Sequence, residues 1–324
     1  MPNPSRLLAD IGGTNARFAW QQGPGLPLQH VQVLPCRDHA GLAEALTRWR
    51  LDHQLPVPGM AAMAVACAVQ SDRVQLTNNP WSFSIQALQT QLGVQRLEVV
   101  NDFTALALGL PAIAHHHLRQ IGGSPQQTPF LHEAPVALIG AGTGLGVSGL
   151  LPDRRGGWMP LAGEGGHASL SIHDALQNQV WASLQSRYGH VCAEMVLSGQ
   201  GLVNIHDSLV FLRTGQWPEH SLTPEQITAL GLAKQDALAS QTLELFCCWL
   251  GAAAGDLALT LGATGGVFIG GGIAPRLGTL LEASGLRRSF EDKGRFSAYL
   301  QPLPIWVIEA PVSPALEGVA TLLD

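Results

Sequence analysis

This chain reads as a two-domain α/β protein. Short apolar runs that suit strands alternate with stretches of helical period, and two glycine-rich turns, Gly12-Gly13 and Gly140 to Gly146, each sit between apolar runs. With 324 residues, 46% of them hydrophobic, the chain is long enough to bury two cores.

Strand-like runs come first at Arg6 to Ile11, Arg17 to Trp20 and Leu28 to Leu34. A helical stretch from Ala40 to Leu51 then keeps Leu42, Ala45, Leu46 and Trp49 on one face. Met60 to Val69 is a continuous apolar run fit for a buried strand, Ile85 to Leu92 reads as helix, and Leu97 to Val100 reads as strand. Asn101-Asp102 opens a helix from Phe103 to Leu110, which Pro111 closes. From Pro111 to Pro135 histidine, glycine, glutamine and proline predominate, which predicts a hinge or surface excursion rather than core. The second half starts with strands Val136 to Ile139 and Val147 to Leu151 around the second glycine turn. Helices follow near His173 to Arg187, Gly199 to Leu212, Pro224 to Leu230 and Lys234 to Leu261. Strands Gly266 to Ile269 and Ile305 to Ile308 and a helix from Pro314 to Leu323 complete the chain.

Composition excludes several classes. The net charge is −6, the lysines are Lys234 and Lys293 alone, and no basic block exists, so neither nucleic acid nor an anionic membrane is an expected partner. Five cysteines, at 36, 67, 192, 247 and 248, are odd in number and lack framework spacing, which points to a reducing, cytoplasmic setting. The N-terminal residues do not read as a signal peptide. Leu257 to Ala274 is the nearest approach to a membrane span, but its glycines and threonines suit a buried helix end followed by a strand. No Gly-Lys pair is present, which excludes a Walker P-loop, and glycine at every second position from 140 to 146 does not fit the dinucleotide spacing. His115 to His117 have no carboxylate or cysteine beside them, so no structural zinc is expected.

The chemistry-bearing residues gather in five segments. Asp10-Ile11-Gly12-Gly13-Thr14-Asn15 places a carboxylate, two glycines and two hydrogen-bonding side chains between strands. Bare amides there can face phosphate oxygens, and a carboxylate can hold a hydrated magnesium ion; an ordinary hairpin turn is the competing reading. Asp102 follows a strand's carboxyl end, where a carboxylate can accept a proton, although Asn and Asp are also the preferred helix caps. Glu164 and His167, on glycine-flanked backbone, have the donor and acceptor chemistry that a polyol needs, as does Glu194 less distinctively; solvated loop side chains are the plain alternative. Gly270-Gly271-Gly272 after a strand would let a flat purine or ribose lie on bare backbone, or would simply turn the chain.

Taken together, Ala9 to Arg17, Asn101 to Ala105, Gly140 to Gly146, Glu164 to His167, Ala193 to Gly199 and Gly270 to Ile273 resemble the bacterial ATP-dependent glucokinase family in order and spacing. Leu76 to Phe83 and Phe290 to Phe296 extend the likeness. The resemblance implies a two-domain actin-like ATPase (ribonuclease H-like) fold with mixed five-stranded sheets and a central cleft. Residues 1–110 plus 302–324 would form the small α/β domain, and 111–301 the large one, so that the last strand and helix return to the first domain. It implies transfer of phosphate from ATP, with Mg2+, to the 6-hydroxyl of D-glucose, giving glucose 6-phosphate and ADP as the first step of glycolysis.

By the same resemblance Asp102 is the general base, and Asn78, Asn101, Glu164, His167 and Glu194 bind the sugar's hydroxyls. Ala9, Asp10, Ile11, Gly12, Gly13, Thr14, Gly142, Thr143 and Gly144 would hold the phosphates, with Asp10 reaching magnesium through water, and Gly270 and Gly271 would lie near the adenosine. A homodimer is the expected assembly. Sugar kinases and repressors of the ROK type carry a cysteine-rich zinc loop after the Gly-Gly-His segment, and Ala168 to Val191 contains no cysteine. A sugar-responsive repressor needs a DNA-binding module, for which no room precedes the first turn, and a non-catalytic sugar binder would have no use for Asp102. A kinase for mannose, fructose or an amino sugar differs only by pocket shape and stays open.

Overall fold

The first sheet is organised around the strand that leads into the first glycine turn. In the computed structural model, which describes residues 5–77, 79–124, 128–130, 134–153 and 156–324, β1 (Arg6–Ile11) pairs antiparallel with β2 (Asn15–Gln21). Outside β2 lies β3 (Gln29–Pro35), followed in the chain by α1 (Leu42–Asp52) and β4 (Met60–Val65), which runs parallel to β1. A small hairpin of β5 (Arg73–Gln75) and β6 (Ser82–Ser84) precedes α2 (Ile85–Leu92), β7 (Arg96–Asn101) and α3 (Asp102–Gly109). The sheet order is β3-β2-β1-β4-β7.

Alternation along β1 decides its two faces. Leu7, Ala9 and Ile11 enter a core with Leu46, Trp49 and Leu88 of α1 and α2, whereas Leu8 joins Ala62, Ala64 and Ala105 in a second core on the other side. β4 consists of Ala, Met and Val alone because both of its faces are covered, Ala61, Met63 and Val65 by the first core and Ala62 and Ala64 by the second.

By chain contacts the protein divides into two units. The first contains the residues up to Ile113, Trp158–Ala162 and Ala310–Asp324, and the second contains Ala114–Gly157 and Gly163–Glu309. The second begins with β8 (Leu118–Ile121), β9 (Val136–Ala141) and β10 (Leu145–Pro152). β11 (Trp158–Pro160) belongs to the first unit and packs on α3. Four longer helices follow: α4 (Ala175–Tyr188), α5 (Gly199–Thr214), α6 (Pro224–Leu232) and α7 (Ala237–Leu261). After β12 (Val267–Gly270) come the short helices α8 (Ala274–Leu277), α9 (Leu280–Ala283), α10 (Leu286–Glu291) and α11 (Ser297–Leu300), then β13 (Ile305–Ile308). Within this unit the strand order is β10-β9-β12-β13-β8, with β12 parallel to both neighbours and the outer pairs antiparallel.

Two expectations are corrected here. Ile305–Ile308 does not return to the first domain: β13 lies between β12 and β8 in the second sheet, and the division falls after Glu309 rather than near residue 302. The histidine-rich stretch after Pro111 is not all surface, because β8 is an edge strand with Leu118 and Ile121 buried. Its partner is far along the chain, so no local pattern announces it.

Among the described residues α7 is the one helix long and apolar enough to cross a membrane, and 72% of its most apolar window is buried within the fold. Leu257 to Ala274, the nearest candidate in the sequence, is instead the end of α7, a turn capped by left-handed Gly262, and β12.

Of the last strand and the last helix, the helix alone comes back to the first unit: α12 (Ala315–Thr321) packs Leu316 and Val319 with Leu8 and Ala105. Arg6, 2% exposed, fastens it: Nη1 donates to Asp324 Oδ1 at 2.8 Å and Nη2 to the Leu323 carbonyl at 3.1 Å. A buried guanidinium is tolerated there because carbonyls at a helix C-terminus accept its protons.

Candidate active site

The first glycine turn is tight without left-handed backbone. Gly12 N–H donates to the Asn15 carbonyl at 2.9 Å, and Cys36 N–H donates to the Thr14 carbonyl at 2.8 Å. A Cβ at Gly12 would come within 3.4 Å of Asn15 O, while neither Gly12 nor Gly13 has positive φ. Neither a hard clash nor an unusual dihedral therefore demands glycine at 12. Asp10, Gly12, Thr14, Asn15, Arg17 and Val33 line a hollow of about 220 Å³, with Thr14 and Asn15 exposed.

Asp10 and Arg17 face each other across the β1–β2 ladder, Nη1 to Oδ2 at 3.2 Å. Burial raises the Asp10 carboxyl above its ordinary 3.8, and the Arg17 charge opposes this only in part. Ala9 and Ile11, expected among the phosphate-binding residues, are 0% exposed and sit in the core beneath the turn. They hold β1 in place and present no surface to a ligand.

At the end of β7 the two candidate residues divide the work. Asn101 is the N-cap of α3: its Oδ1 accepts from Phe103 N–H at 2.9 Å and Thr104 N–H at 3.4 Å, and its Nδ2 donates to the Cys67 carbonyl at 3.2 Å. Asp102 is the first residue of the helix and accepts from Phe103 N–H through Oδ1 at 2.9 Å. The cap and the first carboxylate of the helix are thus separate residues. Asn78, the remaining sugar-binding candidate of this half, lies outside the described residues.

In the second unit three segments meet on β10. The turn Gly142 to Gly144 is closed by Gly142 N–H donating to the Gly144 carbonyl at 2.8 Å, and Gly199 N–H, the first of α5, donates to the Gly142 carbonyl at 2.8 Å. Glu164 and His167 are exposed on a single turn in which His167 N–H donates to the Glu164 carbonyl at 3.0 Å. The glycines between them are not there for flexibility. A Cβ at Gly165 would press on Val147 Cγ1 at 2.8 Å, and one at Gly166 on the Leu145 carbonyl, so the turn lies flat on β10 and aims its two polar side chains outward. Glu194 reaches the same strand, its Oε2 accepting from Leu145 N–H at 2.8 Å.

A cavity of about 790 Å³, large enough for a nucleoside, opens beside this turn. Gly142, Thr143 and Gly272 lie on its wall together with the N-terminal residues of α5 and α6. Gly270 and Gly271 do not line it. Gly271 has φ of 80° and sits against Ala141, with Ile273 N–H donating to the Ala141 carbonyl at 3.2 Å, so it steers the chain while Gly272 faces the cavity. Gln200, Glu225, Thr228 and Arg276 also line the wall. None was foreseen, because each is an ordinary polar residue on a helix and only packing brings the helices together; Ser198 before α5 and the Thr223 capping box of α6 are the local signs of the two longer helices' N-termini.

Among the described residues no group of three or more His, Cys, Asp or Glu could cage a metal. None of the five cysteines is in a disulfide, and burial pushes the Cys247 thiol up to about 12, which leaves it a neutral core side chain.

The fold is that of the actin-like ATPase sugar kinases. A glucokinase crystal structure from an Antarctic psychrotroph is 33% identical with a TM-score of 0.86, covering 98% of each chain. A ROK family glucokinase from Streptomyces griseus, determined with glucose and AMPPNP, is 20% identical with a TM-score of 0.63, again over 98% of each chain. The glucokinase of Aromatoleum aromaticum is 49% identical over 321 residues, 98% of this chain and 94% of that relative. The Glucokinase family profile matches residues 7–324. The chain belongs to the glucokinase family and is a kinase, a transferase that phosphorylates a sugar.

Proposed function

We propose that this enzyme transfers the terminal phosphoryl group of ATP to the 6-hydroxyl of D-glucose, yielding glucose 6-phosphate and ADP, the opening reaction of glycolysis. The observation that carries the reading is the turn Gly142 to Gly144, bonded on one side to the start of α5 beside a nucleoside-sized cavity and on the other to Glu194, in a chain matched by the glucokinase family almost end to end. The Streptomyces griseus structure, with glucose and an ATP analogue, supports both substrates.

Phosphoryl transfer asks a protein for alignment, for charge neutralisation and for a group to take the nucleophile's proton. The Asp102 carboxylate, at the first position of α3, takes the proton of the 6-hydroxyl. Asn78, Asn101, Glu164, His167 and Glu194 orient the sugar; Asn101 donates one of its two amide protons to Cys67 O, and the second serves a hydroxyl. The amides of Gly12 to Thr14 and of Gly142 to Gly144 hold the phosphates, with Gly272 beside the nucleoside.

Lys234 and Lys293 are the chain's only lysines, so backbone amides, Arg17 and magnesium share the neutralisation. Asp10, a single half-buried carboxylate on the wall of the phosphate hollow, fits an ion held through water and nucleotide rather than in a protein cage. Bound there, magnesium would withdraw charge from the phosphates. The enzyme works as a homodimer in the cytoplasm, as its composition and family suggest.

A coupled assay of purified protein with ATP, magnesium and a panel of glucose, mannose, fructose and glucosamine tests this. A kcat/KM for glucose at least about tenfold above each of the other three sugars is expected, since a misplaced or replaced hydroxyl leaves a polar partner unpaired. A higher value for any other sugar refutes the assignment of glucose.

A further inference from the structure

Glycine at 144 has an explanation that the phosphate turn does not supply. Its backbone is not left-handed, so alanine would fit its dihedrals. What a Cβ at 144 would meet is the Glu194 carboxylate, with Oε2 at 2.5 Å and Cδ at 3.3 Å. At Gly142, two residues earlier in the same turn, a Cβ would meet nothing within 4 Å. The empty space at 144 is therefore filled by a side chain from a different segment.

Glu194 is itself rigidly placed. It lies in the turn Ala193–Met195, where Ser198 Oγ donates to its carbonyl at 2.8 Å and in turn caps α5 by accepting Gly201 N–H at 2.9 Å. Its Oε2 accepts Leu145 N–H at 2.8 Å, at the junction of the glycine turn and β10. The same Leu145 backs Gly166, between Glu164 and His167. One carboxylate thus touches the nucleotide turn while its neighbours on β10 carry the sugar-binding turn.

We propose that Glu194 is a positioning residue as well as a sugar ligand: Oε2 ties the turn Ala193–Met195 to the junction of the nucleotide turn and β10, Oε1 is left for the sugar, and Gly144 is glycine to admit that carboxylate. The proposal rests on the sugar role given above for Glu194. It makes residue 144, in the phosphate turn, a determinant of sugar affinity, and residue 194, in the sugar set, a determinant of nucleotide affinity.

The test compares Gly144→Ala with Gly142→Ala, measuring glucose binding by calorimetry in the absence of nucleotide. An alanine at 144 displaces only the end of a flexible side chain, so the variant folds. Loss of a hydrogen bond to a charged group corresponds to about tenfold or more in affinity. Gly144→Ala should therefore weaken glucose binding by about tenfold or more, while Gly142→Ala leaves it within about twofold.

A second pair of variants separates the two oxygens. Glu194→Gln keeps an acceptor for Leu145 N–H, whereas Glu194→Ala does not. The KM for ATP should stay near wild type in the first and rise by about tenfold in the second, while the KM for glucose rises in both. Unchanged glucose affinity in Gly144→Ala, equal weakening by both glycine variants, or equal ATP KM values in the two Glu194 variants overturns the proposal. Wild-type protein that binds no glucose overturns the sugar reading together with it, which keeps the two failures distinct.

Discussion

Substituting Gly318 by alanine should damage both stability and turnover, although residue 318 lies in the last helix. A Cβ there would stand 2.7 Å from Gly109 N and 2.9 Å from the Ala105 carbonyl carbon, and closer still to the Ala105 oxygen. Carbon contacts relax near 3.5 Å, so α12 and α3 must separate by roughly 1 Å. Both obstacles are backbone, and neither can rotate aside. Overpacking of this kind costs about 1–3 kcal/mol.

Because α3 begins with Asp102 and Ala105 belongs to its first turn, the same displacement moves the proposed base. A misplacement of about 1 Å can cost on the order of a hundredfold in rate. Urea unfolding followed by circular dichroism, beside a coupled assay at saturating sugar, reads the two effects separately. The expectation is a midpoint lowered in proportion to about 1–3 kcal/mol and a kcat reduced about ten- to hundredfold. Wild-type values for both would refute the packing argument; lost stability with intact kcat would refute the link to Asp102.

Three further outcomes are expected. Asp102→Asn should leave glucose binding within about tenfold and lower kcat by roughly a hundredfold or more, since only the proton acceptor is lost; near-normal turnover removes Asp102 from its role. Excess EDTA should abolish phosphorylation, and full activity without any divalent ion would contradict the charge balance drawn above. The raised Asp10 carboxyl ionises more readily unfolded than folded, so its contribution to stability is complete below pH 3.8 and is lost as pH rises through its folded value. Asp10→Asn should therefore be more stable than wild type at neutral pH in metal-free buffer, with the difference vanishing on acidification, as urea midpoints between about pH 4 and pH 7 would show; a constant difference excludes burial of the charge as the cause.

Much of the first unit was legible from period and punctuation. The face Leu42, Ala45, Leu46 and Trp49 of α1 is buried as its spacing required, and β1 has the bounds read from its apolar run. The β5–β6 hairpin escaped because three-residue strands carry no measurable period. Helix capping resolved one ambiguity that composition could not: the N-cap of α3 is Asn101, and Asp102 is the first residue of the helix.

Local pattern was enough to announce an α/β protein with two glycine turns, because alternation, helical period and the backbone freedom of glycine act over a few residues. It could not show that β13 joins β8, that Gly165 and Gly166 serve contact with β10, or that Gln200, Glu225, Thr228 and Arg276 share one cavity. Those relations link segments tens to hundreds of residues apart, and they exist only once burial of the two sheets has brought the segments within van der Waals reach.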